Sequence, residues 1–330
     1  MQFKKRYLAL LLLITQFSFG QEGVAVYSDY LSDNYYLIHP SMAGAATCSK
    51  LRLTHRTQWS ESQRSPQLQT LSFNTRLGER SGGGIIGLND RNGYHSQLGA
   101  KITYAHHIRF SRADYNLNML SFGLSGAMIQ SKLDETQFGL GYDPATSGGL
   151  VQKDFYYNFD FGMSYHYLEF FSHFTVKNAV ASRRELYTEH ESDNLRKYLV
   201  SAGYVFGGSK SFQLEPSLMY QFVEDTREHS LDANLKVYKR FENGRLWGAL
   251  SYRRVFNGTQ YARAGEAKEQ RLQYVTPIVG FNYKALMIAY TYSHLLGEVN
   301  YGTGGFHQIT VGLNLFCGKE NWDCNCPAVN

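Results

Sequence analysis

FHQITVGLNLF, residues Phe306 to Phe316, is the stretch whose reading decides the fold. Ile309, Val311, Leu313 and Leu315 alternate with Gln308, Thr310, Gly312 and Asn314. Successive side chains of a strand point to opposite faces, so this stretch is a strand with one apolar and one polar face. In a soluble sandwich the apolar face would meet a packed core. In a membrane barrel it would meet lipid, and the polar face would line the lumen. The rest of the chain chooses between the two by how often it repeats the pattern.

It repeats it many times. Phe155 to Tyr167 sets Phe155, Tyr157, Phe159, Phe161, Met163, Tyr165 and Tyr167 against Tyr156, Asn158, Asp160, Gly162, Ser164 and His166. Phe212 to Val223 and Leu98 to Phe110 do the same, and Tyr198–Phe206 and Val275–Tyr283 fit. Shorter or weaker copies lie at Leu51–Trp59, Gln67–Leu77, Gly84–Asp90, Tyr115–Ile129, Phe170–Val176, Leu231–Tyr238, Leu246–Val255 and Leu286–His294. With the closing strand this predicts about 14 strands, all antiparallel, over residues 50–316. An even count suits a single-chain barrel whose ends lie on one side of the membrane. Gly84–Asp90 and Phe170–Val176 fall short of the 9–11 residues or so that a spanning strand needs.

Composition agrees with an all-β membrane barrel. The chain has 25 Tyr and 21 Phe in 330 residues and only 6 Pro, so aromatics are available for interfacial girdles and long strands go uninterrupted. No window after the N-terminus is apolar enough for a membrane helix. Residues 1–20 read as a signal peptide, with basic Lys4, Lys5 and Arg6, an apolar Leu8–Ile14, and small Ser18 and Gly20 before cleavage near Gln21. Removing those three basic residues from the net +5 leaves +2, which makes no case for nucleic acid.

If both ends are periplasmic, loops after odd-numbered strands are external. The three long polar stretches, Ser131–Asp154, Lys177–Arg196 and Asn257–Arg271, follow strands five, seven and eleven and so read as external loops. Asn243-Gly244 reads as a tight turn. Gly82-Gly83-Gly84 lacks the Lys-Ser/Thr of a phosphate loop and reads as a flexible turn before a strand. A strand that ends on an aromatic, Phe316, resembles the closing strand by which bacterial outer-membrane barrels are recognised for insertion.

Residues 21–49 read as an irregular N-terminal segment, periplasmic or luminal, ending in His39-Pro40-Ser41-Met42-Ala43-Gly44. From there to the second strand the chain resembles the PorP/SprF family, membrane proteins of the type IX secretion system. Such proteins carry an Asn-Pro-Ala-x-Ala-Gly-like motif, then a strand ending Arg-x-Gln-Trp, then Pro and Gln-Thr. Here these read His39, Pro40, Ala43 and Gly44, then Arg56, Gln58 and Trp59, then Pro66 and Gln69-Thr70, with His39 in place of the usual Asn. The resemblance implies a non-enzymatic outer-membrane component that supports secretion or surface attachment of a cargo such as an adhesin. The partners it implies are periplasmic ring or peptidoglycan-binding lipoproteins and the adhesin's C-terminal domain. A passive or ligand-selective channel is the alternative, and an outer-membrane hydrolase, which would need a Ser or Asp paired with His near the external rim, is the third reading.

Other chemistry finds little support. Ser125 in Gly123-Leu124-Ser125-Gly126-Ala127 fails the nucleophile elbow at Ala127. Asp160 and His166 share the luminal face of one strand, several residues apart. No cofactor, metal or catalytic group is expected. Four cysteines, Cys48, Cys317, Cys324 and Cys326, allow three complete pairings. Cys48 precedes the first strand and Cys317 follows the last. In a closed barrel those strands pair, so Cys48–Cys317 is the candidate disulfide, in an oxidising compartment. Residues 317–330 read as a Cys-containing periplasmic tail.

Overall fold

A computed structural model describes residues 29–58, 65–111, 116–137, 150–180, 195–208, 212–263, 266–297, 305–318, 322, 326 and 328–329. The proposed signal peptide, Trp59, Cys324 and residues 181–194 of the Lys177–Arg196 stretch lie outside them. The strands are β1 (Ser49–Gln58), β2 (Gln67–Arg76), β3 (Ser81–Asn92), β4 (His95–Arg109), β5 (Asn118–Asp134), β6 (Val151–Tyr167) and β7 (Phe170–Lys177). The second half continues with β8 (Lys197–Tyr204), β9 (Phe212–Val223), β10 (His229–Phe241), β11 (Gly244–Arg263), β12 (Glu266–Tyr283), β13 (Leu286–Leu296) and β14 (Phe306–Leu315). Each pairs antiparallel with the next, and β1 pairs with β14 to close the barrel. The closing ladder runs unbroken from Ser49↔Leu315 to Gln58↔Phe306, so β1 and β14 pair along their whole length and leave no free edge at the seam.

The alternation seen in the sequence sets the two faces. Ile102, Leu124, Phe155, Tyr157, Leu218 and Leu250 stand out from the wall and are exposed. Their sequence neighbours Thr103, Ser125, Tyr156, Ser217 and Ser251 are buried inside. An exposed apolar surface of this kind is what lipid covers.

Three readings need correction. Asn257–Arg271 is not a loop: β11 and β12 pair up to Arg263↔Glu266, with a register shift between Arg254 and Gly258. Ser131–Asp154 is partly strand, since β5 runs to Asp134 and β6 starts at Val151. In both hairpins the sequence is polar at successive positions, so the alternation that marks a strand fades there. Nor is Gly82-Gly83-Gly84 a turn. It lies within β3, which at 12 residues is no short strand.

The chain ends meet at one end of the barrel, here termed the terminal end, and the opposite opening is the far mouth. Cys48 and Cys317 are joined there, with S–S 2.07 Å and Cα–Cα 4.0 Å. Phe316 falls one residue beyond β14, 87% exposed, and its φ of 49° turns the chain out of the strand toward Cys317.

Candidate functional site

Residues 29–47 do not hang below the barrel. Three short 3-10 turns, Asp29–Ser32, Tyr35–Leu37 and Pro40–Met42, fold into the lumen and form a plug. Leu31, Tyr35, Tyr36, Ile38, Met42, Ala43 and Ala45 make the core of an otherwise polar interior, together with inward Ile86, Ala105, Met119, Phe171 and Met219.

Glycines on the inner wall make room for it. A Cβ on Gly82 would stand 2.0 Å from the Ala43 carbonyl oxygen, and one on Gly84 2.5 Å from Cζ of Tyr36. Gly123 and Gly162 face each other across β5 and β6, and both would collide with Pro40. Gly44 itself has φ +68°, a left-handed conformation that favours glycine, and packs on Thr75 and Gly82.

Polar contacts then fix the plug in register. Asn34 donates to Ser72 at 3.0 Å, Tyr36 to Thr103 at 2.9 Å, and the Gly44 amide to Asn74 at 3.3 Å. His107 lies 3.1 Å from the Ala43 carbonyl. That oxygen can only accept, so Nε2 carries the hydrogen and the Ser121 hydroxyl, 2.8 Å away, donates to Nδ1. His39 is fully buried, with Nδ1 2.8 Å from Thr175 Oγ1, and stacks on His173 at 4.5 Å between centroids. Burial, with Lys177 and His166 nearby, lowers the His39 pKa to about 3, so this imidazole is neutral.

Charge anchors the plug against β1 and the second half of the barrel. The Asp33 carboxylate lies 3.5 Å from Lys50, 3.7 Å from Arg52 and 4.0 Å from Arg245. Burial pushes its pKa up, but Lys50, Arg245 and Arg52 outweigh that and hold it below the ordinary carboxylate value. Arg52 also reaches over the seam to the Leu313 carbonyl at 3.0 Å and Asn314 at 2.7 Å. Glu215 accepts from the hydroxyls of Tyr35 and Tyr238, each at 2.9 Å, with Lys236 at 3.9 Å.

The C-terminal residues close the terminal end. The Thr47 amide donates to the Val329 carbonyl at 3.0 Å, Lys50 donates to that of Ala328 at 3.2 Å, and Val329 is fully buried. The Cys326 thiol donates to the Leu168 carbonyl at 2.8 Å, and Arg109 sits over the Trp322 ring at 4.9 Å.

The far mouth is different. A cavity of about 210 Å³ opens there, lined by Arg56, Gln58, Asp232, Arg253, Tyr274 and Phe306 among others. Arg253 grips Asp232 through two hydrogen bonds, and Arg56 sits 4.6 Å above the Phe306 ring. The motif residues of the sequence therefore separate into two places. His39, Pro40, Ala43 and Gly44 form the plug, whereas Arg56 and Gln58 line the open mouth. Among the described residues, no group of three His, Cys, Asp or Glu could hold a metal ion. The charged partners of Asp33 and Glu215 were not foreseen, though the buried-side placement of Lys50, Arg52, Glu215 and Lys236 on the inner face was a readable signal.

A closed fourteen-strand barrel, apolar outside, with a polar and plugged interior, defines an outer-membrane β-barrel protein. Its fold is similar to the CymD monoaromatic hydrocarbon channel, with TM-score 0.51 and 11% identity over 85% of this chain and 91% of that one. A deltaS2S3 mutant of the TodX monoaromatic hydrocarbon channel matches at TM-score 0.49 and 11% identity, over 84% and 92%. At 11% identity the likeness to CymD is one of fold alone. No curated protein matches the sequence. The sequence does match the type IX secretion system membrane proteins PorP/SprF over residues 19–313, and the chain belongs to that family.

Proposed function

We infer that this barrel serves type IX secretion as a contact platform, supporting secretion or surface attachment of a cargo protein such as a gliding adhesin. It does so as a non-enzymatic component. The observation that carries the reading is the asymmetry of the lumen. The chain's own residues 29–47 fill it from the terminal end, while the far mouth keeps a cavity lined by the family-motif residues Arg56 and Gln58. A filled lumen favours contact over conduction, against the channel alternative. With the signal peptide removed and both ends periplasmic, the far mouth faces outward and meets the cargo's C-terminal domain. The terminal end, with its turns and tail, meets ring or peptidoglycan-binding lipoproteins.

The test is photo-crosslinking in cells from probes at Gln58 and Val255, with mass spectrometry of the adducts, beside planar-bilayer conductance of the purified barrel. Adducts to the C-terminal domain of a secreted protein, with a silent bilayer trace, are expected. Steady conductance without cargo adducts would overturn the reading in favour of a channel.

A further inference from the structure

The outer wall is not equally apolar all the way round. On β6 seven outward residues in succession, Phe155 to Tyr167, are aromatic or Met. Outward residues lie about 6.7 Å apart along a strand, or about 5 Å in height at the usual tilt, so this row spans about 30 Å and suits a belt about 25 Å tall. On β1 the outward apolar residues are Leu51 and Leu53, on β2 Leu71 and Phe73, and on β3 Ile85 alone among large side chains. By the same measure, each of these pairs spans about 5 Å of apolar height.

Toward the far mouth the outward positions of these three strands turn polar. Asn89 donates to Gln69 at 3.3 Å, and the Gln69 amide lies 3.4 Å from His55 Nδ1. On the other side of that ring, Thr57 Oγ1 lies 3.1 Å from Nε2. Gln69 and His55 are exposed on the outer wall, and the ladder joins them through Asn89 to Leu98 of β4 and directly to Ile309 of β14.

We propose that the β1–β3 face, beside the β1/β14 seam, holds the bilayer locally thin, with Asn89, Gln69, His55 and Thr57 in contact with lipid headgroups and water. Lipid is the occupant the chemistry fits. The four side chains bond one another across three strands, and the amide groups left over, such as Asn89 Oδ1, are ones that headgroups and water satisfy on an exposed wall. The apolar rows below them are shortened, not absent. A bilayer accommodates a short apolar wall by thinning, at modest cost. The opposite wall, at β6, keeps full thickness, so the barrel sits in a bilayer of uneven depth with its thinnest strip along the seam.

The test uses full-length protein in which Cys324 and Cys326 are Ser, with single-cysteine probes Gln69→Cys, Asn89→Cys and, for reference, Met128→Cys and Phe159→Cys. Each carries a bimane and is read in proteoliposomes against lipids brominated at shallow or deep acyl positions, and against aqueous iodide. Residues 69 and 89 should be quenched several-fold more by iodide and shallow bromine than residues 128 and 159, which should respond to deep bromine. Deep-bromine quenching at 69 and 89 equal to that at 128 would overturn the proposal. So would protection of residue 69 from every quencher in native membranes but not in proteoliposomes, since a protein would then cover this face.

Discussion

Gly123 of β5 and Pro40 of the plug meet backbone to side-chain space, with nothing between them. A Cβ on Gly123 would stand 2.3 Å from the Pro40 carbonyl carbon and the Ser41 nitrogen. Both neighbours are backbone, and Gly162 closes the same site from the adjacent strand, so neither side can yield cheaply. Gly123→Ala should therefore dislodge the plug while leaving the barrel intact, at a cost of about 1–3 kcal/mol or more for overpacking. Hydrogen exchange at the amides of Leu37, Ile38 and Met42 should rise, with strand amides unchanged. Gly126→Ala, facing out with no heavy atom closer than 3.7 Å, is the control and should exchange like the parent.

Those inward glycines also show where reading the sequence stops. The fourteen strands were legible because alternation is local: Phe155–Tyr167 reveals its two faces without knowing its neighbours. Asn257–Arg271 was misread because above the belt neither face of a strand is obliged to be apolar. Gly82–Gly84 was misread because the reason for small residues there, the Ala43 carbonyl and the Tyr36 ring, comes from a segment some forty residues earlier. The plug has no period of its own. Its one trace in the sequence was the clustering of Gly, Ser, Thr and His on inward positions, which suits a packed partner better than an open pore.

Asp33 carries the charge balance of the plug. Asp33→Asn keeps the shape but leaves Lys50, Arg52 and Arg245 converging on a neutral group. Stranding buried charge costs about 3–5 kcal/mol. Exchange over residues 31–46 should accelerate, and the apparent melting temperature of the plug-dependent transition should fall. Because the Asp33 pKa is depressed, its contribution is fully present above the ordinary carboxylate value of 3.8 and fades only as pH falls below that. The parent and the variant should therefore converge in strong acid and differ most at neutral pH.

His39 sets a second, milder pH dependence. Free histidine binds a proton near pH 6.5, whereas the docked ring resists it down to about 3. The released plug thus takes up more protons throughout that window, and docking weakens as pH drops from 6.5 toward 3. At pH 5 the loss is about 2 kcal/mol, from 1.36 kcal/mol per unit. Plug-segment exchange measured from pH 7.5 to 4.5, corrected for intrinsic rates, should rise on acidification. His39→Asn, which restores the residue usual at this position in the resemblance, should still reach Thr175 and give a shallower slope. A parent profile flat across the window would remove His39 from the account.

The Cys48–Cys317 bond ties together chain positions 269 residues apart at the one place where the barrel could unzip. Ten residue pairs already join β1 to β14, so the bond is not needed to form the seam. Its effect is to keep the ends together once the seam frays, and cross-links closing long loops contribute about 2–5 kcal/mol, mainly through the unfolded chain. Cys48→Ser should therefore give a barrel that folds and inserts, yet unfolds at lower temperature on heat-modifiability gels. Reductant should bring the parent down to the same midpoint and leave the variant unmoved. The plug is predicted to loosen with it, because Thr47, next to Cys48, is the residue that the Val329 carbonyl and the Gly318 amide hold in place. If exchange at the Thr47 and Gly318 amides were identical in parent and Cys48→Ser, the disulfide would be a clasp for the seam alone, with no hold on the plug.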